Sequence, residues 1–546
     1  MSVFIGYPSF MAYQMMKGKK GNNDGFPSVP GMIARYSALG LTNEQMAANP
    51  VWVDKTGNGH DLQMKNFAWK EGSGISDIYP GALVFDGVDD YGTCDNFPIL
   101  TKEKGYTVVA LRQWISIGEG PCGLVSNVKH WFEDGAFVLE SLYPENYYTT
   151  SFGATRGQKD LPHILTYQTS KSYNGNLIAT GSYKGTDVLH VGRLASTNVG
   201  THSNVAIWEL VFLDHDATEE ELTKIKDYFV KTYPWLFPDQ AWTVVGKTNE
   251  DEDRATITNI TGNGNDLVLS NFGFAEGSGY GLYAYNFNSF DLRDNVVKPT
   301  DVKKIRFRII GTGNSGNVLV LLNTSNSAAW KIRITGMKEG DSCIVGNANK
   351  SGDHIKIIKD GVYTFQKQYA ATSINGIWYN SSQEVDVLVE QIPEYEGYLI
   401  TDGVDDEIIS AKLIQFADKF TIVGDWKFME DRNDNAGLLK SNQIYIYNAT
   451  TGMRIYLKQG SKNYPFSCKK INALTSDGWV YDEKWDKYKV YPIGSDIDIS
   501  SRLFLGFYGS NFTKIALKNL GIYNDQLLSK DECIKAYNYL QTLKAK

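Results

Sequence analysis

The sequence predicts an all-β protein built from two antiparallel sandwiches, the second interrupted by a smaller β-sandwich-like insertion. Three observations carry this. Short segments of alternating apolar and polar residues recur along the 546 residues, as in YTVVALRQW (106–114), HILTYQT (163–169), NVAIWELVF (204–212), FTIVGDWKF (420–428), QIYIYNA (443–449) and MRIYLKQG (453–460). TGNGHDLQMKNFAWKEGSG, from Thr56, returns as TGNGNDLVLSNFGFAEGSG, from Thr261, with twelve of nineteen positions identical. Helical patterns close the two copies but do not alternate with strands, so the crossover helices of a parallel sheet are missing.

Residues 1–32 are broken by Gly, Pro and Asn and read as an irregular N-terminal arm. Its Phe4, Tyr7, Phe10, Tyr13 and Met15 cannot form a core of their own, so they are expected to serve attachment or oligomerisation. Charges follow its apolar run and no small-residue cleavage site closes it, so no secretory leader is expected.

Copy one spans 33–238. TGNG supplies residues that tolerate positive φ and reads as a sandwich-rim turn, not a phosphate loop, because neither a Walker sequence nor a strand–loop–helix context accompanies it. DGVDD follows at Asp86–Asp90 and recurs at Asp402–Asp406. A strand, a polar turn and a helix then end each copy. Thr218 with Glu221, and Ser529 with Glu532, have capping-box spacing, and Leu222, Ile225 and Phe229 form an apolar helix stripe.

Copy two is split into 239–294 and 396–546, because its signature and its DGVDD lie about 111 residues further apart than in copy one. The intervening 295–395 reads as an inserted β-rich domain. Its expected strands include VKKIRFRII (302–310), NVLVLLN (317–323), WKIRITG (330–336), HIKIIKDGVYTF (354–365) and EVDVLVEQI (384–392).

The order TGNGxD, NF, GSG, DGVDD, strands and a closing strand–turn–helix resembles the LamG-like or concanavalin A-like jelly-roll superfamily over 33–235, 240–290 and 396–543. IARYSALGLTNEQMAANPVWVDKTGNGHDLQMKNFAW, from Ile33, is similar to such modules in proteins of Bacteroidales bacteria and their tailed phages. The resemblance implies two concanavalin A-like jelly rolls of curved antiparallel sheets. It also implies roles in glycan recognition, adhesion, virion decoration or, with added residues, glycoside cleavage; fold alone does not choose among them.

A formal charge of −8 and pI near 5.5 argue against a nucleic-acid surface, and no stretch of about 20 apolar residues predicts a membrane span. Five scattered cysteines, Cys94, Cys122, Cys343, Cys468 and Cys533, lack metal-ligand spacing and read as reduced structural thiols. The seven histidines, His60, His130, His163, His190, His202, His215 and His354, form no zinc spacing and read as surface residues. Asp86, Asp89 and Asp90, with Asp402, Asp405 and Asp406, offer carboxylates to calcium, although a five-residue turn supplies fewer than the six to eight oxygens calcium takes. No other cofactor is expected.

Glu384, Asp386 and Glu390 recur with strand alternation and resemble the acid strand of jelly-roll glycosidases. However, Asp386 and Glu390 are separated by roughly 13 Å of strand, beyond a catalytic pair. Aromatic residues are the better resource: Trp378, Tyr379, Trp479, Trp485 and Tyr488 are candidates for a glycan or protein surface.

The expected function is a non-catalytic virion structural or adhesion protein, made in the host cytoplasm, as a capsid decoration, head fibre or tail-associated part. Its expected partners are other virion proteins or a cell-surface glycan, with homo-oligomerisation left open. A bacterial cell-surface glycan-binding protein is the alternative, and a glycoside hydrolase a third reading.

Overall fold

A computed structural model describes residues 24–98, 100, 105–116, 122–126, 138–142, 147–148, 161–168, 187–194, 201–275, 277–281, 289–290, 296–297, 304–309, 316–322, 330–347, 354–365, 375–381, 384–392, 395–429, 436–440, 444–449, 452–457, 460–463, 470–489, 500–508 and 511–545. The architecture is all-β, in antiparallel sheets that stack as sandwiches. The chain divides into two compact units, 1–239 with 526–543, and 240–525 with 544–546.

In the first unit, one sheet runs in the order His163–Gln168, Thr107–Ser116, Asn204–Leu213, Leu83–Asp86, Gly74–Ile75. Met32–Ser37 also pairs with Asn204–Leu213. The facing sheet has seven strands: Tyr147–Tyr148, Val138–Leu142, Cys122–Ser126, Val188–Val191, Tyr91–Asp95, Leu62–Lys65 and Val51–Trp52. Period-two alternation sends Leu62 and Met64 inward and leaves Gln63 and Lys65 exposed. The core between the sheets gathers Trp52, Phe85, Val108, Trp114, Leu189, Leu210 and Phe212.

Three α-helices are described: α1 (Asn43–Ala48), α2 (Glu219–Thr232) and α3 (Lys530–Gln541). The capping boxes read at Thr218 and Ser529 are formed, with Thr218 N–H donating to Glu221 at 2.8 Å and Ser529 N–H to Glu532 at 2.7 Å. Leu222, Ile225 and Phe229 of α2 are buried, as their spacing requires. Helix α3 is grouped with the first unit, although the sequence places it at the end of copy two. There Lys535 Nζ lies 4.2 Å over Trp235, and Asn538 Nδ2 donates to Asp77 O at 3.3 Å.

The second unit repeats the plan. Its first sheet runs Gly279–Tyr280, Leu399–Ile400, Ile515–Asn524, Phe420–Phe428, Ile471–Thr475, Trp479–Asp482, Lys487–Lys489, with Gln240–Thr243 also on Ile515–Asn524. Its second runs Thr256–Ile257, Leu267–Ser270, Glu407–Ser410, Phe504–Leu505, Ala436–Lys440, Ile444–Ala449, Gly452–Leu457, Gly460–Asn463. Between Ser289 and Ile392 lie two further five-stranded sheets. HIKIIKDGVYTF, read as one strand segment, divides into His354–Ile357 and Gly361–Phe365, which join different sheets.

Candidate functional site

The twin glycine-rich segments build the same rim turns. Asp54 accepts from Thr56 N–H at 3.0 Å and Thr56 Oγ1 at 2.8 Å; Asn259 accepts from Thr261 N–H and Oγ1 at the same two distances. Gly74 and Gly279 sit at φ +145° and +152°, where a Cβ would strike Asn43 Oδ1 and Asn249 Oδ1 respectively. Those asparagines accept from Ile75 N–H at 2.7 Å and Tyr280 N–H at 2.8 Å.

DGVDD is likewise a hydrogen-bonded turn. Asp86 Oδ1 accepts from Val88 N–H at 2.7 Å and Asp89 N–H at 3.2 Å; Asp402 Oδ1 does the same for Val404 at 2.7 Å and Asp405 at 3.3 Å. Asn66 and Asn271 each donate 3.0 Å bonds to the carbonyls of Asp89 and Asp405. Burial pushes both Asp90 and Asp406 up to about 6, against the opposing pull of their hydrogen bonds. In each triplet one oxygen per acid lies within 4.8 Å of the others. The acids therefore fit part of a calcium shell, but Asp86 and Asp402 already bind amides and each triplet is short of the six to eight oxygens required.

The hairpin Trp479–Asp482 to Lys487–Lys489 holds three of the aromatic candidates, on different sides. Pairing sets Trp479 opposite Lys489, Val480 opposite Tyr488 and Tyr481 opposite Lys487. Trp479 is half-buried, with Lys487 Nζ 3.5 Å over its ring. Trp485, at φ +62° in the turn, packs 6.2 Å from Tyr481. Tyr488 stands opposite buried Val480, so strand alternation separates it from Trp479, and its hydroxyl donates to Asp482 Oδ2 at 3.3 Å. Lys487 thus joins Trp479 in a ring-and-cation pair that the spacing alone did not single out, while Trp485 packs on Tyr481 in the turn.

In the inserted strands, Tyr379 is fully buried and its hydroxyl donates to Asp341 at 2.5 Å, which withdraws it from any ligand surface. Trp378 precedes it in Asn375–Ser381. Glu384 lies before Val385–Ile392, not in that strand, and Glu390 is 3.7 Å from Arg333. Phe4, Tyr7, Phe10, Tyr13 and Met15 lie outside the described residues. Cys94, Cys122, Cys343 and Cys533 are buried and, among the described residues, form no disulfide. His215 is bonded to Asp214 at 3.1 Å and Glu221 at 3.3 Å, which joins it to the α2 cap. His190 and His202 belong to a cluster with Tyr91 and Arg193 that residue spacing did not reveal.

No family model matches the sequence, and no curated protein matches it. Among solved structures the chain is similar to a Trypanosoma rangeli sialidase in complex with sialic acid, at 13% identity and TM-score 0.24, covering 41% of this chain and 38% of that one. The chain thus spans well under half of that sialidase. It is also similar to a botulinum neurotoxin type C structure described by its dependence on two ganglioside molecules for cell entry, at 9% identity and TM-score 0.26, over 67% of this chain and 98% of that one. A receptor binding domain aligns at 9% identity and TM-score 0.27, over 89% and 97%. At such scores no residue role passes from these structures to this chain. Among the described residues, no helix is long and apolar enough to cross a membrane.

Proposed function

We propose that this protein is a non-catalytic adhesion component that recognises glycans, set on the surface of a phage particle as a capsid decoration, head fibre or tail-associated part. The observation that carries recognition is the hairpin at 479–489, where Lys487 lies over half-buried Trp479 and half-buried Trp485 stands in the turn that joins their strands. Indole faces stack on the apolar faces of sugars, while neighbouring ammonium and carboxylate groups bond hydroxyls. The particle setting rests on the sequence resemblance alone.

The absence of catalysis is supported by the insertion acids: Glu390 is ion-paired and Glu384 lies off the strand. A broad polysaccharide panel, read by binding and by product chromatography, tests the reading. Binding without products is expected, weakened about tenfold or more by Trp479→Ala or Trp485→Ala with melting unchanged. Reproducible cleavage abolished by Glu384→Gln or Asp386→Asn would overturn it. A particle reconstruction that fails to locate the chain would remove the virion setting.

A further inference from the structure

Tyr91 and His190, from two strands of the seven-stranded sheet of copy one, meet Arg193 and His202, from the two-stranded ribbon Arg193–Leu194 and Thr201–His202. Arg193 stacks on Tyr91, with Cζ 3.5 Å from the ring centroid. Its Nη2 lies 3.3 Å from His190 Nδ1, and since a guanidinium only donates, that imidazole nitrogen is the acceptor. His190 is therefore neutral with its proton on Nε2. Burial first, and Arg193 second, hold it down at about 4, so it stays neutral at physiological pH. His202 pairs with Arg193 across the short ribbon and lies 5.9 Å from Tyr91; it too is held below its ordinary value, by burial and then by Arg193. Thr93 stands opposite His190, and exposed Lys65 opposite Tyr91.

Among the described residues, no carboxylate ion-pairs with Arg193, and its buried Nε has no hydrogen-bond partner. A half-buried cation without a counter-ion is costly unless something supplies the anion. Arg193 is acted on by burial and by Tyr91, whereas Asp86 and Asp89 raise His202. Their oxygens instead serve the DGVDD turn or face solvent.

The fold does not require this chemistry. Gly192 and Gly506, at φ +80° and +85°, accept from Ser203 and Thr513 N–H at 2.8 and 2.9 Å, which aligns the two copies here. From that anchor, the register places Glu407, Ile409, Phe504, Phe507 and Phe512 of copy two where copy one has Tyr91, Thr93, His190, Arg193 and His202. The same sandwich forms there with four apolar residues and one acid, and without Arg or His, so the cationic and imidazole groups of copy one are not needed for architecture.

We infer that Arg193, with His190, His202 and Tyr91, is a binding site for the carboxylate of an acidic sugar. The guanidinium neutralises the carboxylate, the neutral imidazoles and phenol donate to its oxygens and adjoining hydroxyls, and Thr93 bonds a further hydroxyl. The saccharide part rests on the recognition reading above; the anion seat does not.

Glucuronic acid and glucose differ here only in a carboxylate against a hydroxymethyl group, so they are the probes. Calorimetric titration of the full chain is expected to show saturable glucuronate binding, in the millimolar range or tighter, and glucose binding at least about tenfold weaker. Arg193→Gln should erase the preference, and Arg193→Lys should restore part of it, with both variants melting like the parent. Equal binding of the two sugars, no saturable glucuronate binding below ~10 mM, or a preference that survives Arg193→Gln overturns the inference. A chain that ignores neutral glycans yet takes up glucuronate through Arg193 refutes the hairpin reading and upholds this one. If melting falls in both variants, histidine NMR of the parent with glucuronate decides: shifts at His190 and His202 are expected, and their absence counts against the site.

Discussion

Copy one and copy two share their turns but not what lies on the outer face of the sheet behind them. In copy one, Tyr36 Oη donates to His60 O at 2.5 Å; in copy two, Trp242 Nε1 donates to Asn265 O at 2.8 Å from the same place. One residue earlier, Arg35 and Ala241 stand at matching positions, opposite Val211 and Gly521. Glu209 and Asn519 precede the matching Leu210 and Leu520. Arg35 binds Glu209 through Nε at 3.1 Å and Nη2 at 3.2 Å, Asp24 through Nη1 at 2.6 Å, and lies 4.0 Å over Phe26. Tyr233 adds a 2.8 Å bond to Glu209. Copy two forms the same sheet with an alanine and an amide, so the ion pair is an addition to the fold and not a condition of it.

The largest expected effect breaks that difference. Arg35→Ala should destabilise the first unit by about 3–5 kcal/mol, because it strands Glu209 as a buried charge. The double variant Arg35→Ala with Glu209→Asn installs the copy-two residues and should recover part of the loss. Urea unfolding, with hydrogen exchange in Asn204–Leu213 against Ile515–Asn524, reads both. A double variant no better than the single would show that copy one depends on its ion pair for more than charge balance.

A smaller effect should be common to both copies. Asp90 and Asp406 have folded values raised above the unfolded carboxylate range, to about 6. Their folded forms therefore bind protons more tightly than the unfolded chain. This contribution is fully present below about pH 4 and is lost as pH rises through about 6, so each unit should gain roughly 1–2 kcal/mol between pH 7 and pH 5 from this source. Asp90→Asn and Asp406→Asn should each flatten the melting profile over that window. A profile that neither variant changes would mean that other groups set the pH response.

The smallest effect concerns the helix caps. Thr218→Ala and Ser529→Ala should each cost about 1 kcal/mol in thermal unfolding. Because Glu221 also bonds His215, whereas the Glu532 cap has no matching histidine in sequence, the two losses sharpen the comparison if they differ.

Much of this was readable because the residues concerned act locally. TGNG, DGVDD and the capping boxes each close hydrogen bonds within a few residues, so type and spacing suffice to identify them. Alternation located the strands for the same reason. The candidate surfaces were less legible. Trp479 and Tyr488 are close in sequence, but the hairpin register separates them, and Tyr379 looked like a surface ring until its sheet buried it.

The sequence by itself determined the all-β class, the duplicated turns, the caps and the apolar stripe of α2, since each depends on a period or a contact a few residues long. Only the tertiary structure decided which distant groups meet. Arg35 finds Glu209 across 174 positions, and Arg193 finds Tyr91 and His202 through strand pairings that no local pattern specifies. It also decided that α3 is grouped with the first unit. An amphipathic stripe specifies that a helix must bury one face, but many apolar surfaces satisfy that demand, and only the folded arrangement selects among them.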